Sequence, residues 1–173
     1  RAGAMSPLID ERFTGDKHFW SSVVVDKPKN KKKLNENIET YKPEGAFTSS
    51  ERIQNTQTLT GIYPINMVLT ERAKDIISNY KIPPLSEYDS DLGTAWCIPI
   101  KMTSKKSKNG KWFYTIDVID SNSEVTRLRC WGVNPQKDLI FLNKPYVLKY
   151  PKYNETWGFS TYGAVDKKWM MIG

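Results

Sequence analysis

Lys105, Lys106, Lys108 and Lys111 fall within seven positions around Asn109 and Gly110, and the run that follows, Trp112-Phe113-Tyr114, is aromatic. Ammonium groups neutralise phosphates and ring faces accept stacked bases, so this pattern has the chemistry of a nucleic-acid backbone held beside its bases. Two further groups extend it. Arg127, Arg129 and Trp131 alternate along one β-type run, and Lys152, Tyr153 and Trp157 fall in a late polar turn. In this reading the lysines and arginines neutralise phosphates while Phe113 and Trp131 stack bases. The 152–157 turn then adds one cation and two aromatics at the same mouth of the fold. Weak sequence preference is expected, because these residues form no base-edge code.

Other chemistries find few residues to work with. Two cysteines, Cys97 and Cys130, and one histidine, His18, cannot assemble a four-ligand zinc site or a disulfide framework. Each cysteine lies in an apolar β-type run, which predicts buried reduced thiols, with a Cys97–Cys130 disulfide as the alternative. There is no P-loop and no nucleophile-elbow pattern. Asp89 and Asp91 sit in a connector without a third carboxylate to complete a metal-dependent nuclease site. No catalytic residue, metal or cofactor is therefore expected. The 26 Lys and Arg against 19 Asp and Glu give a net charge of +7 over 173 residues, which favours polyanions. No apolar run is long enough to span a bilayer and no secretory signal is present, so a cytoplasmic protein without a membrane partner is expected.

The elements that would hold these residues follow from periodicity. Arg1-Ala2-Gly3-Ala4-Met5 reads as the remnant of an expression tag, and the chain as a piece of a larger protein. Residues 6–49 read as an irregular N-terminal segment, with an apolar patch at Phe19, Trp20 and Val23–Val25. The lysine run from Asp26 to Lys33 reads there as a solvated loop. Pro43, Gly45, Ser49 and Ser50 mark a linker. Residues 50–92 carry a helix that Ser49 or Ser50 caps, with Glu51 early in it, Arg52 to Thr60 continuing it and Gly61 as its stop. A second helix bears the stripe Met67, Val68, Ala73, Ile76, Ile77 and Tyr80, and a proline-rich connector closes the segment.

Residues 93–173 read as a β domain. Strands are predicted over 95–103, 111–119 and 125–131, a short helix over 134–143, and strand regions over 145–153 and 157–172. Tyr114, Ile116 and Val118 share one face of the second strand, and Phe113, Thr115 and Asp117 the other. Arg127, Arg129 and Trp131 share a face of the third. Three strands, a helix and two strands form the order of a five-stranded Greek-key OB-fold barrel, mainly β, behind an irregular and helical N-terminal segment. An SH3-like barrel and an open five-strand sandwich are the competing architectures. Structural rivals also exist for the site: lysines as solvated charge, Phe113 and Trp131 packed against the N-terminal segment, and core positions among Trp112, Tyr114, Tyr146, Trp157 and Trp169. Arg127 and Arg129 resist unpaired burial and are expected to be exposed.

The segment Ser50 to Leu69, SERIQNTQTLTGIYPINMVL, followed by an amphipathic helix, a proline-rich connector and an OB-like sequence, resembles the C-terminal region of family C replicative DNA polymerases, the DNA polymerase III α-subunit type. Its turn is Leu59-Thr60-Gly61-Ile62-Tyr63-Pro64, with Tyr63 where the family usually has a histidine. Thr103-Ser104-Lys105-Lys106, an insertion at 107–109 and Gly110-Lys111 resemble the family's first OB loop. The resemblance covers residues 50–173 and contains none of the polymerase's catalytic carboxylates. It implies a non-catalytic module for single-stranded DNA or primer-template, in a bacterial or phage replisome, with the enlarged loop pointing to a phage-encoded member. A module that docks replisome proteins without touching DNA is the alternative.

Overall fold

The computed structural model of the chain describes residues 9, 11–25, 27–41 and 46–173, which divide into two units, Arg1–Pro64 and Ile65–Gly173. The tag-like opening, and the linker signals Pro43 and Gly45, lie outside the described residues.

In the first unit, α1 (Asp16–Trp20) runs on into a π-helical turn over Ser21–Val25. The lysine run does not stay a loop: Lys31 to Lys33 form the first turn of α2 (Lys31–Thr40). Three cations there oppose the helix dipole, but lysine is a good helix former and the Asn30 side chain accepts the Lys33 N–H at 2.9 Å. α3 (Ser49–Thr60) takes both serines expected to cap it into its first turn, and its cap is Thr48, one residue earlier. Thr48 and Glu51 form a reciprocal capping box, and Gly61 at φ 73° ends the helix as expected. Polar groups knit this unit together. Asp16 accepts the Phe47 N–H at 2.8 Å and pairs with Arg52 at 2.6 Å, while His18 Nε2 donates to the Ile38 carbonyl at 2.7 Å.

The second unit opens with α4 (Ile65–Val68) and α5 (Glu71–Asn79), two helices where one was expected. Thr70 causes the break, since its hydroxyl caps α5 by accepting the Ala73 N–H at 3.2 Å. Of the predicted stripe, Val68 and Ala73 are buried whereas Met67 and Tyr80 are exposed. Pro83 and Pro84 then lead through a 3₁₀ turn at Leu85–Glu87 into the sheet. No helix among the described residues is long and apolar enough to cross a membrane.

The strands are β1 (Thr94–Lys106), β2 (Trp112–Ile119), β3 (Thr126–Trp131), β4 (Tyr146–Lys149), β5 (Lys152–Asn154), β6 (Gly158–Tyr162) and β7 (Trp169–Met171). They form one mixed sheet in the order β5-β6-β3-β2-β1-β4-β7, in which β3 and β6 run parallel and the other pairs antiparallel. A flat sheet would separate β5 from β4 by about 24 Å, five spacings of about 4.8 Å. Yet only Tyr150 and Pro151 join them, a span of about 11 Å at full stretch. The sheet is therefore curled, a half-barrel. The first part of β1 pairs with β4 and the rest with β2, and a register shift between Pro99 and Lys101 lets the strand turn from one partner to the other. Cys97, Tyr114, Ile116, Leu128, Cys130, Leu148 and Trp169 fill the inside.

The mainly β, barrel-like expectation holds, with seven strands where five were expected. The run 145–153 splits because Tyr150 adopts φ 50° and Pro151 has no N–H to donate. The run 157–172 splits because α6 (Val165–Lys168) interrupts it. No helix spans 134–143. After one turn, in which the Asn134 carbonyl accepts from Asp138 N at 2.8 Å, the Asp138 carboxylate takes the N–H groups of Asn134 at 2.6 Å and Val165 at 2.9 Å. That side chain ties the loop to α6, and the backbone beyond it is irregular, with Ile140 inside and Leu139 and Phe141 outside.

Candidate nucleic-acid interface

Cα partners in neighbouring strands project side chains to the same face, so the register reads out the outer wall of the half-barrel row by row. The first row is Lys105, Phe113, Trp131 and Tyr162. The second is Thr103, Thr115, Arg129, Ser160 and Lys152, and the third is Lys101, Asp117 and Arg127. The inner rows hold Tyr114 with Cys130 and Ile116 with Leu128, all buried, as the alternation predicts. An aromatic line thus crosses three strands with cations beside it.

Phe113 and Trp131 stack at 4.4 Å between ring centroids and 25° between planes, and both stay partly exposed. Stacked face to face on the outside of the sheet, each ring covers one face of the other and leaves its outer face for a base. Tyr162, 54 % exposed, follows them in the row, and the Lys152 ammonium lies 5.8 Å from its ring centre. Sequence reading missed Tyr162 because its place on this face depends on the parallel pairing of β6 with β3, which no local pattern announces. It missed Lys101 because the irregularity at Pro99 to Lys101 resets the alternation of β1. Tyr162 lies within the β-prone run Phe159-Ser160-Thr161-Tyr162, and that was its local signal.

The lysine cluster is divided. β1 extends through Lys106, so Lys105 faces outward opposite Phe113, whereas Lys106 faces the other way and sits 4.8 Å from the centre of the Trp112 ring. Lys108 and Lys111 remain on the exposed turn. The turn is closed by Gly110 N–H to the Ser107 carbonyl at 2.9 Å and Ser107 N–H to the Lys111 carbonyl at 2.8 Å, with Gly110 at φ 74°. The segment from Thr103 to Tyr114 contains no carboxylate, whereas Lys101 has Asp117 as its cross-strand partner.

Both arginines face outward as expected, and both are engaged. Arg127 Nε pairs with the Asp117 carboxylate at 2.9 Å. Arg129 donates to the Trp157 carbonyl, and its guanidinium lies 5.1 Å from the Trp157 ring centre. Arg129 therefore positions Trp157 as much as it adds charge. The 152–157 turn does not share a mouth with the lysine turn: Gly158 lies beside the Arg127 carbonyl, and the other end of β6 meets Trp131. The two turns lie at opposite ends of the wall, about 13 Å apart along the strands. Tyr153 also departs from the expected group. Its partner in the register is Phe159, on the inner parity, and the two rings lie 5.0 Å apart at the sheet edge.

The interior offers no reactive thiol. Cys97 and Cys130 are both free and buried, and burial pushes both thiols up. Among the described residues, no group of three or more His, Cys, Asp or Glu side chains is placed to hold a metal ion. Trp112 and Trp157 are exposed, while Tyr114, Tyr146 and Trp169 belong to the core. No family model matches the chain, and no curated protein matches it.

Proposed function

We propose that the chain binds single-stranded nucleic acid, DNA in the first instance, across the outer wall of β1, β2, β3 and β6, and performs no chemistry on it. The observation that carries this reading is the row Lys105, Phe113, Trp131 and Tyr162, flanked by Arg129 and Lys152. Exposed rings in line give successive bases a surface, each stacked base being worth about 1–3 kcal/mol. The lysines beside them and on the 107–111 turn release counterions from the phosphates. Because stacking accepts any base, little sequence preference follows.

The finer fold reading supports the same conclusion. With β4 and β5 counted as one strand bent at Tyr150–Pro151, and β7 as an appendage, five strands remain in an order that suits a Greek-key OB-fold. In that fold the second and third strands form the binding face, and here they carry Phe113 and Trp131. The likeness of residues 50–173 to the C-terminal region of family C DNA polymerases supports a role beside the template strand of a replicase, as a bacterial or phage module.

The test is fluorescence anisotropy of a labelled oligo-dT over a salt series. The intact chain is expected to bind with an affinity that falls steeply with salt. Changing Lys105, Lys106, Lys108 and Lys111 together to Ala is expected to flatten that dependence. Absence of binding at low salt, or an unchanged slope in the variant, contradicts the proposal.

A further inference from the structure

Beside the β5–β6 hairpin lie two adjoining hollows with a shared wall. Tyr88 and Tyr153 line both, and Phe159 lies between them at 6.2 Å and 5.0 Å from their ring centroids. The first hollow, about 650 Å³, reaches Trp157, and the second, about 610 Å³, runs past Pro151 to Asp89. Tyr153 and Trp157 are each 63 % exposed. Aromatic side chains so displayed around a concavity mark a recognition surface.

Charge separates this cleft from the outer wall. Glu87, Asp89 and Asp91 lie next to Tyr88 in the sequence, all exposed, and Glu155 stands on the hairpin. Arg127 lines the first hollow and Lys152 the second, but Arg127 is paired with Asp117 and the Lys152 ammonium lies over Tyr162. The Tyr88 phenol is pushed up first by burial and then by the Asp89 carboxylate, so the negative field reaches the cleft wall. The carboxylates at the Asp89 end of the cleft disfavour a polyanion there. An uncharged body with an adjacent cation is attracted.

A polyproline II segment has that character: its apolar rings pack on aromatic walls, and its unpaired carbonyls accept from tyrosine hydroxyls and the indole N–H. Three residues make a turn of about 9 Å, so the same face of the segment recurs along its length. We propose that this cleft docks a proline-rich segment of a protein partner, with a basic residue next to the proline run that meets Asp89 and Asp91. The site shares Arg127 and Lys152 with the edge of the nucleic-acid wall but does not depend on that wall's function.

The experiment uses the full chain and fluorescein-labelled decaproline ending in two arginines, followed by anisotropy at about 0.15 M salt. Saturable binding is expected, weakened about tenfold by Tyr153→Ala, whose exposed ring can be lost without disturbing the core. Asp89→Asn with Asp91→Asn is expected to weaken this peptide severalfold and to leave decaproline without arginines unaffected. An excess of oligo-dT is expected to leave the peptide bound. Absence of saturable binding, indifference to Tyr153→Ala, indifference of the arginine peptide to the paired Asn changes, or displacement by oligo-dT, which assigns the cleft to nucleic acid, each overturns the proposal.

Discussion

Phe113 and Trp131 touch each other, so they cannot act as two independent stacking sites. At 4.4 Å the rings share a surface, and removal of either leaves the other without its support. Phe113→Ala, Trp131→Ala and the double variant are therefore expected to weaken oligo-dT binding by similar amounts, about 1–3 kcal/mol each, in a double-mutant cycle read by anisotropy. Additive losses would show separate bases on separate rings. Lys105 and Lys106 make a sharper pair, because they face opposite ways. Lys105→Ala is expected to reduce the salt slope by about 0.7, the loss of one phosphate contact on a single strand, and Lys106→Ala to leave it unchanged. In the sequence these two lysines are equivalent, and only the extension of β1 through Lys106 tells them apart. The outward positions of Phe113, Arg127, Arg129 and Trp131 were legible, because strict alternation assigns a face without knowledge of the partner strand. The pairing of Arg127 with Asp117, ten positions apart, was not legible, since it rests on strand register.

Elements were most readable where a local signal sets them. Gly61 stops α3, alternation draws β2 and β3, and Gly110 turns the hairpin between β1 and β2. The expected helix over 134–143 failed because its fate is decided by a distant partner, the N–H of Val165 that Asp138 binds. Asp138→Ala strands that buried donor and is expected to lower the unfolding free energy by about 1–3 kcal/mol, measured by denaturant titration, whereas Leu139→Ala on the exposed side should have little effect. α3 carries a pH signature. Glu51 is held down to about 2 by the hydrogen bond from Lys17, then by the N–H and hydroxyl of Thr48. The fold favours the carboxylate, so its contribution is full above the ordinary value of 4.5 and disappears as pH falls toward about 2. Far-UV circular dichroism should show the chain more helical than Glu51→Gln above that window, with the two converging below it.

At the scale of the whole molecule, a curled, mainly β domain was legible from the sequence as a series of alternating runs. The way it curls was not. Two residues, Tyr150 and Pro151, bring β5 back to β4, and the parallel pairing of β6 with β3 completes the aromatic line with Tyr162, so the wall exists only once the sheet has bent. The division of labour between a cationic wall and an acid-lipped cleft depends on the same geometry, since residues 152–157 contribute to both. The central claim is that nucleic acid lies along that wall. Its most direct measurement is the anisotropy of labelled oligo-dT at low salt, with the intact chain compared with a variant carrying Trp131→Ala and Tyr162→Ala. Tight, salt-sensitive binding by the intact chain and a loss of at least about tenfold in the variant are predicted. Equal affinity for both chains, or no binding by either, would contradict the account.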